Sequence, residues 1–470
     1  MMCDELKTKL DKWFDDHKEE MIKDLSDLVA IRGVAGDAEG EAPFGKGAFN
    51  ALLKADEIEK HLGFATKIYD NACLSADMND KETALAMLCH VDVVPEGDGW
   101  DTDPFTVIEK DGALYGRGTS DDKGPAIAAS YAMRAAKELC PELTKNCRLI
   151  LGSSEENGAT DLVHYTKYDK YPDMVFSPDS DFPLINIEKG RFAPDFSKDW
   201  VESKTLPRIT SIVGGKVRNI VPRITTAEIE GLKLTDCKAI CDDVTNTLGG
   251  TIELEDTENG VKLTCTGAAA HASTPELGLN STTLLITALL HLPLAECEGL
   301  YRLRALNELV PHGDVTGKNL GIACADEESG ALSLNFGVFE FGLTGMSGNL
   351  DARTPICADS MPIEALTAAA FGRKGIAYRT SDISKAHCVP SDSPFVKTLL
   401  GIYEDFTGDK GEALAIGGIT YVHDVPGGVA FGCTMPGHDA CIHGANEHIT
   451  LDELFTSAKI FTKAIIDLCK

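Results

Sequence analysis

The run Ala84-Leu85-Ala86-Met87-Leu88-Cys89-His90-Val91-Asp92-Val93 places a block of apolar and small residues directly ahead of a histidine and an aspartate. A short apolar block of this length predicts a strand buried on both faces. An Ala-rich helical pattern follows over 125–139. It opens with Gly124-Pro125, where the missing proline N–H costs nothing. Two more apolar runs come at 148–152 and 174–176. Strands alternating with helices in this way predict an α/β domain whose sheet is mostly parallel, with helices on both faces. Near the C-terminus Gly428-Val429-Ala430-Phe431 reads as a further strand of the same kind. Thr450 and Glu453 then form a capping box for a helix reaching about Leu468.

The middle of the chain follows another rule. Runs at 224–229, 251–254, 261–265, 334–343 and 349–352 alternate in the manner of strands covered on one face, and Asn259-Gly260 is a hairpin signal. Helical patterns fall at 235–248, 281–292 and 362–373. The expected organisation is one domain made of 1–191 and 385–470, interrupted by an α+β domain at 192–384.

Length agrees, because 470 residues exceed what one ordinary core holds. The formal charge of −30 argues against nucleic acid or an anionic membrane as partner, since both require clustered Lys and Arg. No apolar run approaches the length of a membrane span. The 15 cysteines are odd in number, contain no C-x-x-C pair and often sit in apolar runs, which suits free thiols in a reducing compartment. The first 34 residues lack a cationic head followed by an apolar block. Instead Leu6, Leu10, Trp13, Phe14, Met21, Leu25 and Leu28 recur at helical spacing. A cytoplasmic location is expected.

Five acid or imidazole side chains follow apolar runs or glycine-rich turns: His90, Asp121, one of Glu155 and Glu156, Asp179 and His443. Alone, each could be a turn residue or a helix-start charge. Together they can hold two neighbouring divalent ions. A carboxylate such as Asp121 can bridge two ions, and Asp92, two residues beyond His90, can accept the proton on the other ring nitrogen. Glu155 and Glu156 point in different directions, so one can be a ligand while the other faces an attacking water. His438 and His448 compete with His443. Mixed imidazole and carboxylate donors suit zinc, with manganese or cobalt as further candidates. A serine nucleophile is disfavoured because there is no G-x-S-x-G elbow.

The stretches Gly116-Arg117-Gly118-Thr119-Ser120-Asp121-Asp122-Lys123-Gly124-Pro125, Trp100-Asp101-Thr102-Asp103-Pro104-Phe105 and Pro178-Asp179-Ser180-Asp181-Phe182-Pro183 resemble the dinuclear zinc peptidases. That family includes peptidase V, carnosinase, glutamate carboxypeptidase and aminoacylase, and the peptidase V branch is the most similar. The resemblance implies that Asp121 bridges two zinc ions, with His90 and Asp179 on one and Glu156 and His443 on the other. It makes Glu155 the general base and implies a cis peptide after Asp121. The insertion then resembles the family's lid, with His271 aimed at the developing oxyanion, Asn219 near the same oxygen, and Arg353 clamping the substrate's carboxylate. Gly418 and Thr420, in Gly417-Gly418-Ile419-Thr420-Tyr421, would line the carboxylate pocket. Val422-His423 departs from the arginine expected there.

The expected activity is therefore metal-dependent hydrolysis of dipeptides with free termini, by a monomer or a lid-mediated homodimer. The alternatives are an N-acyl-amino-acid deacylase or carboxypeptidase on the same scaffold, and a non-catalytic peptide- or metal-binding relative.

Overall fold

A computed structural model describes residues 4–470. The chain divides into two compact units. One comprises Met1–Ile187, Cys388–Leu414 and Ile419–Lys470; the other comprises Glu188–His387 and Ala415–Gly418.

The first unit is built on a sheet in the order Ala65–Tyr69, Cys73–Asp77, Asn146–Gly152, Thr83–His90, Met174–Ser177, Gly428–Ala430, Ile185–Glu188. The four central strands, Asn146–Gly152 through Gly428–Ala430, pair in parallel. The flanking pairs in this order are antiparallel, so the expected α/β sheet has a parallel centre and antiparallel margins. The reason is local: Ala65–Tyr69 and Cys73–Asp77 are joined by a tight hairpin, with Asp70 and Asn71 in the left-handed region. A hairpin can only pair its strands antiparallel.

Leu85, Met87 and Cys89 of the His90 strand are fully buried, as are Leu149 and Leu151 beside them. The helix Lys123–Leu139 packs against both Asp4–Val29 and Leu451–Leu468. Small residues on the middle helix (Ala126, Ala128, Ala129, Ala132, Ala135 and Ala136) allow this close approach, and all are buried. The N-terminal helix buries Leu10, Trp13, Phe14, Met21, Leu25 and Leu28, the stripe its spacing predicts. The capping box at Thr450 and Glu453 is present in both directions.

The second unit carries an eight-stranded antiparallel sheet ordered Thr251–Asp256, Gly260–Thr266, Ile224–Glu230, Arg208–Gly214, Ser333–Phe341, Gly345–Thr354, Gly190–Asp199, Ala377–Ser384. Inward residues Ala227, Ile229, Val261, Leu263 and Cys265 share one core with Leu284, Leu285 and Leu289 of the helix Ser281–His291. The helices Leu234–Leu248 and Ile363–Arg373 lie where the apolar period places them, whereas Glu298–Leu309 was not anticipated. Among the described residues no helix is long and apolar enough to cross a membrane.

Candidate metal centre

His90 ends the strand Thr83–His90, and Asp179 stands two residues past Met174–Ser177. Glu155 and Glu156 follow Asn146–Gly152. These three strands are adjacent and parallel, so the loops after them emerge at one edge of the sheet. His443 arrives from the other end of the chain, on the loop before the strand His448–Thr450, with φ +61°.

The five side chains converge. His90 Nε2 lies 3.1 Å from Asp121 Oδ1 and 3.5 Å from Asp179 Oδ2. His443 Nε2 lies 2.9 Å from Asp121 Oδ2 and 2.9 Å from Glu156 Oε1. Asp121 thus turns one carboxylate oxygen to each imidazole. His438 and His448, the competing histidines of the same loop, turn to each other instead.

The donor set fits divalent ions on one observation in particular. His90 Nδ1 is 3.0 Å from the Asp92 carbonyl, which can only accept, so the ring proton sits on Nδ1. Nε2 of the neutral ring is then a lone pair, buried without a hydrogen bond and facing two carboxylates. Such an arrangement is repulsive unless a cation lies between or the ring takes up a second proton. Burial works against a charge on His90, yet Asp121, Asp179 and Asp92 outweigh it and push the imidazole well above its usual range. His443 is pushed up to about 10 by Asp121 and Glu156. Burial raises the Glu155 carboxyl to about 9 and that of Glu156 to about 7. Without metal the cluster takes up protons, which ions would displace on binding.

Asp92 also acts elsewhere than at the His90 ring. Its carboxylate is 3.4 Å from His90 Nδ1, farther than its own carbonyl. The carboxylate oxygens instead accept the backbone N–H groups of Glu155 and Glu156, each at 3.1 Å. Asp92 therefore fixes the turn carrying both glutamates.

Several supporting residues escaped the sequence reading. Glu447 Oε1 accepts the backbone N–H groups of Gly118, Ser120 and Asp121, while Oε2 pairs with Arg117 Nη1 at 2.6 Å. This buried carboxylate shapes the loop that presents Asp121. Asp122 Oδ2 accepts the His90 N–H at 2.9 Å, and the Asp121–Asp122 peptide is cis. Buried Lys123 donates to the carbonyls of Leu28 and Ile31, tying the loop to the end of the first helix. Gly124 has no alternative here, since a Cβ would sit 1.9 Å from the Thr119 carbonyl oxygen. Asp161 accepts Ser153 N–H, Ser154 N–H and the Tyr421 hydroxyl, holding the turn before Glu155. None of Glu447, Asp161 and Tyr421 carried a local signal for these contacts.

Thr420 also lies in the first unit, where its hydroxyl caps the short helix Tyr421–Asp424 by accepting the Val422 N–H. His271, Asn219, Arg353 and Gly418 belong to the second unit. There Ala272 N–H donates to the Asn219 carbonyl, and Ile220 bridges to His271, so these two predicted residues are neighbours. His271 Nδ1 accepts the Ser273 N–H at 3.2 Å and contacts the Ser273 hydroxyl at 2.7 Å. Its ring proton therefore sits on Nε2. Arg353 Nε donates to Asp351 Oδ1 at 2.8 Å, and Nη1 donates to the Gly417 carbonyl at 2.7 Å. The glycine loop thus meets Arg353 through Gly417 rather than Gly418. Asp351 is fully buried, and Arg191 lies directly opposite Arg353 on the neighbouring strand, 3.8 Å from the same carboxylate.

Two imidazoles and several carboxylates around one shared aspartate, at the carboxyl edge of an α/β sheet, define a metallopeptidase site. Residues 86–467 match the peptidase family M20/M25/M40, and the chain belongs to this metal-dependent family. It is 34% identical over 460 residues to the Beta-Ala-Xaa dipeptidase of Lactobacillus delbrueckii subsp. lactis, covering 96% of this chain and 97% of that one. It is likewise 34% identical over 459 residues to the Bacillus subtilis (strain 168) protein YtjP, covering 96% and 98%. Among solved structures, the dipeptidase Dug1p of Saccharomyces cerevisiae matches with a TM-score of 0.60 at 15% identity over 98% of both chains. Human carnosine dipeptidase 1 matches with 0.57 at 15% identity over 99% and 98%. Those two likenesses concern the fold.

Proposed function

We propose that this chain is a cytoplasmic dipeptidase that hydrolyses the peptide bond of short peptides with both termini free. The observation that carries this reading is the position of Asp121 between His90 and His443, with Asp179 and Glu156 beside them. His90, Asp179 and Asp121 would hold one ion, and His443, Glu156 and Asp121 the second. Zinc suits these donors best, with manganese or cobalt able to replace it. When bound, such a pair lowers the pKa of a shared water and polarises the substrate carbonyl.

The chain's own groups do the remainder. Glu155, its backbone held by Asp92, takes the proton from the attacking water and returns it to the leaving amine. His271, with its proton on Nε2, donates to the developing oxyanion, supported by Asn219 on the adjoining loop. Arg353 has Nε and one Nη2–H committed to Asp351 and one Nη1–H to Gly417, which leaves one N–H on each terminal nitrogen. Those two donors are the set a planar carboxylate accepts. Gly418 and Thr420 would line that carboxylate's pocket, and the second unit would act as a lid that excludes water.

The test is turnover of a dipeptide panel with and without chelator, alongside the same peptides N-acetylated. Free dipeptides should be cleaved, chelator should abolish cleavage, and zinc or manganese should restore it. Preferential cleavage of the acetylated forms would replace this reading with a deacylase.

A further inference from the structure

Four successive backbone N–H groups, those of Ser153, Ser154, Glu155 and Glu156, donate to two buried carboxylates. Asp92 takes the two glutamates. Asp161 Oδ2 takes Ser153 N–H at 2.5 Å and Ser154 N–H at 2.9 Å, while its Oδ1 takes Leu162 N–H at 2.9 Å. Asp161 is fully buried, and among the described residues it forms no ion pair. A buried charge needs donors, and here they are backbone dipoles and one hydroxyl.

That hydroxyl belongs to Tyr421, whose Oη donates to Asp161 Oδ2 at 2.5 Å from a segment distant in sequence. The contact sets a steric condition at the end of the strand Asn146–Gly152. A Cβ on Gly152 would stand 2.0 Å from Tyr421 Oη and 2.3 Å from Asp161 Oδ2, so glycine is required for the two to meet. The Tyr421 ring is buried and lies edge-to-face with His90, centroids 6.0 Å apart. A phenol has one proton to donate, and Asp161 takes it. Tyr421 therefore acts on the turn, not on a substrate.

We propose that Tyr421 is a positioning residue for the general base: through Asp161 its hydroxyl fixes the turn from which Glu155 reaches the attacking water. This rests on the role given to Glu155 above. Tyr421 closes the run Gly417-Gly418-Ile419-Thr420-Tyr421, in which Gly418 and Thr420 are assigned to the carboxylate pocket. Loss of a pocket-lining contact shows in KM, whereas loss of the Tyr421 hydroxyl shows in kcat.

Tyr421→Phe removes the hydroxyl and keeps the ring against His90, so zinc content should match wild type. With a dipeptide substrate kcat should fall about 10- to 100-fold, the scale of a misplaced reacting group, with KM little changed. The decisive readout is a double-mutant cycle with Glu155→Gln. In that background Tyr421→Phe should cost nothing further, because the base it positions is gone. Asp161→Asn, which keeps the shape and loses the charge, should show the same loss and the same non-additivity. Zinc loss, an equal fall of kcat in both backgrounds, or a wild-type kcat in the single variants would each overturn the proposal. Amide exchange read by mass spectrometry on the peptide covering 150–158 needs no turnover. Exchange there should quicken in Tyr421→Phe with the rest of the protein unchanged, and wild-type protection would refute the anchor. Were wild type to leave dipeptides uncleaved, the functional reading would fail, and the exchange result would still decide the anchor.

Discussion

The charged side chains of the two units are assembled by opposite routes. In the first unit His90, Asp121, Glu156, Asp179 and His443 come from five separated stretches, and their polar atoms face one another across 2.9–3.5 Å. In the second unit the partners are two residues apart: Asp351 holds Arg353 and Ser273 holds His271. Period-two geometry places Asp351 and Arg353 on one face of their strand, whereas His271 and Ser273 meet within a turn. The first cluster gathers more acids than bases and takes up protons when no ion is bound; the second is neutralised within the protein. Metal removal should therefore strike the first unit and leave the arginine clamp of the second intact.

The sharpest way to break this division is to remove a group that reacts without disturbing one that binds. Glu155→Gln should lower kcat by about two to four orders of magnitude while zinc content by mass spectrometry stays at the wild-type value. A loss of zinc in that variant would place Glu155 among the ligands. His271→Ala should lower kcat about 10²–10³-fold with metal content unchanged, the cost of losing one oxyanion donor. An unaffected kcat would remove His271 from the reaction. Asp351→Asn should raise KM about tenfold or more with a smaller change in kcat, because Arg353 loses a charged partner that organises it. Equal effects on both parameters would mean a general structural defect.

The smallest effect concerns an acid that no cation accompanies. Glu59 is buried against Ser130, and burial pushes its carboxyl up to about 8. Between its unfolded value of 4.5 and about 8 the folded protein holds a proton that the unfolded chain has released. Stability therefore falls as pH rises through that window. Glu59→Gln removes this dependence, so its melting temperature relative to wild type should climb from pH 5 to pH 8, by an effect on the order of a few kcal/mol at most. A pH-independent difference would show that Glu59 is ionised when folded.

How far these features were legible follows from where their causes lie. The strands ending at His90 and Ser177 and the helix after Asp122 announce themselves by unbroken apolar or small residues, so the ligands beside them could be read in sequence. The strand Gly190–Asp199 could not. It carries Pro194 at its centre and charged residues on either side, features that argue against a strand, yet it is paired with both Gly345–Thr354 and Ala377–Ser384. Glu447 pins the Asp121 loop from more than three hundred residues away, and such contacts leave no local pattern. Asp351 was recoverable, because Asp-x-Arg on an alternating strand places both side chains together. Asp92 has a further role, at the turn of the two glutamates, that its spacing did not show. Spacing predicts which side a residue faces, and the neighbouring backbone N–H groups decided which partners its carboxylate took.

The central claim, that Asp121 is shared between two ions, is tested most directly by a zinc-edge anomalous map of zinc-loaded crystals. The account predicts one peak beside His90 and Asp179, a second beside His443 and Glu156, and an Asp121 oxygen on each. A single peak, or two peaks with Asp121 bound to only one, would contradict it.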